Sequence, residues 1–230
     1  VMRFCWGLGK KVLLANAFAE VVDDIFKYGP DAVSRKALWL GAVLYMLQIY
    51  YDFSGYSDMA IGLGEMFGFR FQENFNYPYV SCSVKEFWRR WHISLSSWFR
   101  DYVYIPLGGS RKGNFCTYRN LLIIFFLTGM WHGAGTGFIL WGLYHGLFLI
   151  LERVWLGKKL EKLPGAVGWT YTMMVVFLGW ILFRAEDLSL FLSYIKNMVV
   201  SHGGIILLSA YLDKKLQYLL LTGNLFAGGI

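Results

Sequence analysis

The sequence predicts an all-α integral membrane protein, and three observations predict it. Of 230 residues, 57% are hydrophobic, 19% are aromatic and only 16% are charged. The mean hydropathy is +0.44. A soluble domain of ordinary composition carries about a quarter charged residues, so a soluble globule is excluded, and the 44 aromatics are equally foreign to a disordered tail. Cys5, Cys82 and Cys116 are odd in number, widely spaced and without a C-x-x-C pair, so neither a disulfide framework nor a zinc site is indicated. Val1 opens the chain without a cleavable signal, and the last residues are still apolar. The expectation is a single membrane domain over 1–230, a fragment of a longer chain. Its core lies at about 7–198, and an apolar segment, 199–230, is unassigned.

The elements follow in order. Lys11 to Phe26 is weakly two-faced and runs to the turn signal Tyr28-Gly-Pro30. Ala37 to Tyr51 is apolar, then Asp52, Ser54, Ser57 and Asp58 intervene before apolar character returns at Met59 to Phe69, which reads as a broken span or two short helices. Lys85 to Arg119 holds seven basic and two acidic residues, net +5 of the total +7, and the positive-inside bias puts it on the cytoplasmic side. Within it Val84, Phe87, Trp88, Trp91, Leu95, Trp98, Phe99 and Tyr102 recur at steps of three and four, the pattern of one amphipathic interfacial helix.

Leu121 to Leu151 is uncharged, and glycines crowd its middle, Gly129-Met-Trp-His-Gly-Ala-Gly-Thr-Gly137. One straight helix would run to roughly 45 Å against a hydrocarbon core of about 30 Å, so two half-helices in a re-entrant or discontinuous segment are expected. Leu163 to Phe183 carries no charge and is the clearest transmembrane segment. Leu190 to Leu212 stays unassigned.

Four histidines are candidates for chemistry. His132 lies eleven residues beyond Leu121, which in a helical entry is about 16 Å deep, near the midplane. An ionisable group there is a functional-site hypothesis, against a plainer reading as a hydrogen-bonded residue joining helices. His92 stands on the polar side of the interfacial helix beside Arg89 and Arg90, either solvated or facing a bound anion. His145 lacks the spacing and the companion ligands of a metal site and His202 lies in the unassigned region, so no metal is expected. Asp52 and Asp58 either pair inside the membrane or mark a wet helix end. The basic cluster either sets topology or receives an anionic substrate. Nucleic acid is not expected, because the tryptophans follow helical amphipathicity.

Five ordered motifs resemble a known family. They are Tyr51-Asp-Phe-Ser-Gly-Tyr-Ser-Asp-Met-Ala-Ile-Gly62, Asn74-Phe-Asn-Tyr-Pro-Tyr79, Glu86-Phe-Trp-Arg-Arg-Trp-His-Ile-Ser-Leu-Ser96, Trp98-Phe-Arg-Asp-Tyr102 with Tyr104-Ile-Pro-Leu-Gly-Gly109, and Trp131-His-Gly133. They resemble the membrane-bound O-acyltransferases, and within them the bacterial branch that O-acetylates alginate and peptidoglycan. The resemblance implies a multi-helix bundle around a central funnel or tunnel in the bacterial cytoplasmic (inner) membrane. It implies His132 as the essential base or acyl-relay residue, with His92 positioning the thioester or sharing the proton work. Arg89, Arg90 and Arg100 would steer the donor's phosphates, Trp91 and Trp131 would line the route, and Asp52 and Asp58 would anchor the polar core.

No bound cofactor is implied, and acetyl-CoA is the expected donor co-substrate. The expected partners are the lipid bilayer and an extracytoplasmic acetyltransferase or glycan acceptor, with an acyl carrier protein as a further one. The competing functions are D-alanyl transfer to teichoic acid from a carrier-protein thioester, and a non-enzymatic transporter or scaffold. A transporter should break its helices in two corresponding halves, and the sequence has no such internal symmetry.

Overall fold

The computed structural model describes residues 1–185 and 187–200. His202 and the greater part of the unassigned 199–230 segment lie outside them. Among the described residues every regular element is helical, and the β-pairing is a single isolated bridge between Phe75 and Trp91. The chain divides into two compact units. One holds Val1–Glu73 with the described residues from Leu192 onward, and the other is Asn74–Phe191.

In the first unit α1 (Met2–Gly9), a π-helical stretch (Lys10–Ala15) and α2 (Asn16–Lys27) run on from one another. Gly29, in the left-handed region at φ 75°, turns the chain at the Tyr28-Gly-Pro30 signal. Ser34 then caps α3 (Arg35–Met66), with its Oγ accepting from Ala37 N. α1 crosses α3 closely because both surfaces are small there: a Cβ on Gly7 would stand 2.5 Å from the Gly55 carbonyl oxygen. α2 lays Phe18, Val22 and Ile25 against α3.

α3 is one uninterrupted helix of 32 residues, which corrects the expected broken span. Asp52 and Asp58 do not end it, because cations from the adjoining helix meet both. Lys10 Nζ donates to Asp58 at 2.7 Å and Arg3 to the same carboxylate at 3.1 Å, and Arg3 also pairs with Glu73. Lys11 Nζ reaches Asp52 at 2.5 Å. Side-chain charge is neutralised laterally, so the backbone ladder has no reason to break.

The second unit begins with a 3₁₀ turn (Pro78–Val80), then α4 (Val84–Arg90) and α5 (Ile93–Phe99), which leads into a π-helical turn (Arg100–Tyr104). α6 (Gly113–His132) follows, then α7 (Thr136–Leu151), which runs through a π-helical turn (Glu152–Leu156) into α8 (Gly157–Leu160). α9 (Gly165–Arg184) packs on α7, and α10 (Leu188–Val199) leads back into the first unit.

Two described helices are long and apolar enough to cross a membrane: Thr136–Leu160, of mean hydropathy 1.3, and Gly165–Arg184, of 1.7. The second coincides with the segment expected at Leu163 to Phe183.

The glycine-broken stretch is two helices that part at its middle, as the glycines predict. α6 and α7 fold back on each other as an antiparallel hairpin that turns at Gly133-Ala134-Gly135. Gly133 stands at φ 156° and ψ 166°, a region essentially confined to glycine. The arms touch backbone to backbone at Gly142, where a Cβ would lie 2.1 Å from the Phe125 carbonyl oxygen. Folding back resolves the length problem that one straight helix would pose.

Candidate active site

The expected single amphipathic helix over 84–102 is interrupted at its middle. α4 stops at Arg90, Trp91 is extended and His92 takes the left-handed conformation at φ 46°. The competing bonds come from residues 74–76: Asn76 N donates to Arg90 O at 3.0 Å, and Ile93 N to Asn74 O at 3.0 Å. These strand-like bonds on both sides of the Phe75–Trp91 bridge draw the backbone out of the helix. Hydrophobic periodicity continues across the break, and it therefore gave no sign of it. Trp91 turns inward at 4% exposure, with its ring 4.9 Å from Trp180.

The break sets His92 against Asn74. Asn74 Oδ1 accepts from Ser94 N at 3.2 Å and from Ser94 Oγ at 2.6 Å, and it faces His92 Nδ1 at 3.3 Å. A backbone N–H can only donate, so the Asn74 atom in question is its oxygen and His92 Nδ1 carries the hydrogen. The lone pair of a neutral His92 is then on Nε2. Burial, with a smaller contribution from the nearby His132, pushes the His92 imidazole down to about 4 from its ordinary 6.5, so it is neutral at physiological pH.

His132 is the last residue of α6, which begins at Gly113, eight residues before Leu121. His132 thus stands at the hairpin turn. Aromatic rings enclose it, with Trp131 at 4.9 Å between ring centroids, Phe183 of α9 at 5.0 Å, Trp141 of α7 at 5.2 Å and Phe138 at 6.2 Å. Trp131 also lies 6.0 Å from His92, so one indole touches both imidazoles. Trp131 is 59% exposed, while Trp141 behind it is 1% exposed. One side of the pair opens outward and the other is a packed aromatic wall.

Of the residues singled out from the sequence, His92, Trp131 and His132 come together, with Trp91 in the adjoining core. Arg90 is engaged by Glu86 at 2.8 Å and donates to Asn76 O, and Arg100 forms a two-pronged pair with Asp101. Arg89 is exposed. Asp52 and Asp58 belong to the first unit. His145 is fully buried, with its ring 5.0 Å from Trp88 and 5.3 Å from Trp141. Among the described residues no cluster of His, Cys, Asp and Glu has a metal-binding arrangement.

Asn74, Trp141 and Phe183 were not singled out. Asn74 had a signal in the Asn74-Phe-Asn-Tyr-Pro-Tyr79 motif. The other two looked like ordinary apolar helix positions and become neighbours of His132 only through the hairpin and the packing of α9.

The model of the membrane-bound O-acyltransferase family matches residues 1–195. The chain is 53% identical over 189 residues to a Pseudomonas putida protein named probable alginate O-acetylase AlgI, covering 81% of this chain and 38% of that protein. It is 41% identical over 203 residues to the Helicobacter pylori peptidoglycan O-acetyltransferase, covering 87% and 38%. It is 36% identical over 151 residues to the Bacillus subtilis teichoic acid D-alanyltransferase, covering 60% and 38%. The chain thus spans about two fifths of the length of these relatives. With a family match over residues 1–195 and 53% identity over 189 residues to a probable alginate O-acetylase, the chain belongs to the membrane-bound O-acyltransferase family.

Proposed function

We propose that this chain is the histidine-bearing part of a multi-pass O-acetyltransferase of the bacterial inner membrane. It passes acetyl from cytoplasmic acetyl-CoA toward a hydroxyl of an extracytoplasmic polysaccharide or peptidoglycan, by way of a partner acetyltransferase. The observation that carries the reading is that one indole, Trp131, lies against both His92 and His132. The names of the alginate and peptidoglycan relatives support the acetyl group and the acceptor class.

The chemistry balances on one imidazole. The acceptor oxygen attacks the thioester carbonyl while His132 takes its proton, the C–S bond breaks, and the imidazolium returns the proton to the leaving thiolate. An ester and a free thiol result. The wall of Phe138, Trp141 and Phe183 keeps water from the thioester, which would otherwise hydrolyse. With Nδ1–H committed to Asn74, His92 offers an acceptor at Nε2, which suits orienting a hydroxyl better than donating to a carbonyl. Arg89 is the arginine best suited to a donor phosphate, since Arg90 and Arg100 already have carboxylate partners.

Membranes holding the intact protein, supplied in parallel with labelled acetyl-CoA and with a labelled D-alanyl carrier-protein thioester, test the reading. Label in polymer from the first donor alone is the expected result. Label from the second alone would move the protein to D-alanyl transfer, the activity named for the Bacillus subtilis relative. Label from neither would leave a non-enzymatic membrane role.

A further inference from the structure

We infer that Glu152 is a positioning residue that fixes His92 against the hairpin carrying His132. The inference rests on the reading of those two histidines as the transfer site. Glu152 is 6% exposed, within a helix apolar enough to cross a membrane. A carboxylate in such a place is costly and is kept for a purpose.

Both of its oxygens are used. Oε1 accepts from Val84 N at 2.6 Å and Oε2 from Lys85 N at 2.9 Å. These are first-turn N–H groups of α4, which have no acceptor inside their own helix. The next one, Glu86 N, is taken by Ser83 Oγ at 3.0 Å. A carboxylate at a helix N-terminus is also favoured by the backbone dipole. Glu152 therefore caps α4 from another helix, and the π-helical turn Glu152–Leu156 carries it.

A second anchor lies one turn further on. The Trp88 ring meets Phe125 at 5.3 Å, Trp141 at 5.6 Å and His145 at 5.0 Å. Trp141 and His145 of α7 and Glu152 of its π-helical continuation recur at steps of four and seven, and α4 packs on α7. A helix of seven residues held at its start and its middle cannot pivot, and His92 follows it after a single residue. Without the first anchor, the first turn of α4 is released and only the Trp88 contacts and the bonds from residues 74–76 still hold the helix.

The test uses the intact protein in membranes with its native cysteines replaced by serine. His92→Cys and, separately, His132→Cys report the alkylation rate at each site by a soluble maleimide, with and without Glu152→Gln. The expected result is a rise of fivefold or more at position 92 with position 132 changed by less than twofold. Glu152→Asp, which keeps the charge but is one methylene shorter, should fall between, and it is read in the same way if Glu152→Gln does not accumulate. An unchanged rate at position 92, or equal rises at both positions, would overturn the proposal. If alkylation responds as expected while labelled acetyl transfer survives His92→Ala, the clamp stands and the catalytic reading of His92 falls.

Discussion

Asn74 Oδ1 faces His92 Nδ1 at 3.3 Å while accepting from the Ser94 backbone at 3.2 Å. One amide oxygen thereby fixes both the rotation of the imidazole and the nitrogen that bears its hydrogen. Asn74→Ala should lower acetyl transfer by about tenfold or more, mainly in kcat, because the wrong tautomer is then as accessible as the right one. Asn74→Asp keeps an acceptor in the same place and should stay within about threefold of wild type. Steady-state kinetics on membranes at matched protein amounts check both.

His92 also makes stability depend on pH. In the folded protein its imidazole is held near 4 by burial, against an ordinary value of 6.5. Below 6.5 the unfolded chain binds a proton there that the folded chain refuses until the pH nears 4. Stability should therefore fall as the pH is lowered through that window, by up to about 3 kcal/mol from this group. Thermal unfolding in detergent across this range should show the loss, and His92→Gln should make it smaller.

The two acids of α3 should behave differently. Asp58 is buried and answers Lys10, itself buried, so Asp58→Ala leaves a cation without its carboxylate and should cost about 3–5 kcal/mol. The Asp52 and Lys11 side chains are 43% and 39% exposed, and Asp52→Ala should cost less than about 1 kcal/mol. Parallel melting curves of the two variants decide it.

The hairpin predicts a third contrast. Gly142 has the Phe125 carbonyl oxygen where its Cβ would go, and backbone cannot move aside, so Gly142→Ala should destabilise by about 2–3 kcal/mol. Gly165, at the start of α9, has nothing within 4 Å, and Gly165→Ala should change stability by less than about 1 kcal/mol. Melting temperatures measured side by side test the contrast.

These residues also mark what the sequence could and could not disclose. The helical class, the α9 segment and the prominence of His132 follow from apolar run length and glycine placement, which are local properties. The continuity of α3 does not, because it depends on Lys10 and Lys11 arriving from another helix to meet Asp58 and Asp52. The break at Trp91–His92 was hidden for a similar reason: its bonds come from residues 74–76, while the apolar period runs on undisturbed. The glycines signalled the interruption near His132, while the approach of Gly142 to Phe125, which folds the two helices back on each other, is a tertiary contact with no local sign. Phe183 was out of reach of any periodicity argument, since it meets His132 only because α9 packs on α7.

The most direct test of the account is transfer of labelled acetyl from acetyl-CoA to polymer by membranes holding the intact protein, comparing wild type with His132→Ala at equal protein amount and equal melting temperature. The account predicts a loss of about a hundredfold or more, the size expected for removal of a general base. Transfer by His132→Ala at the wild-type rate would contradict it.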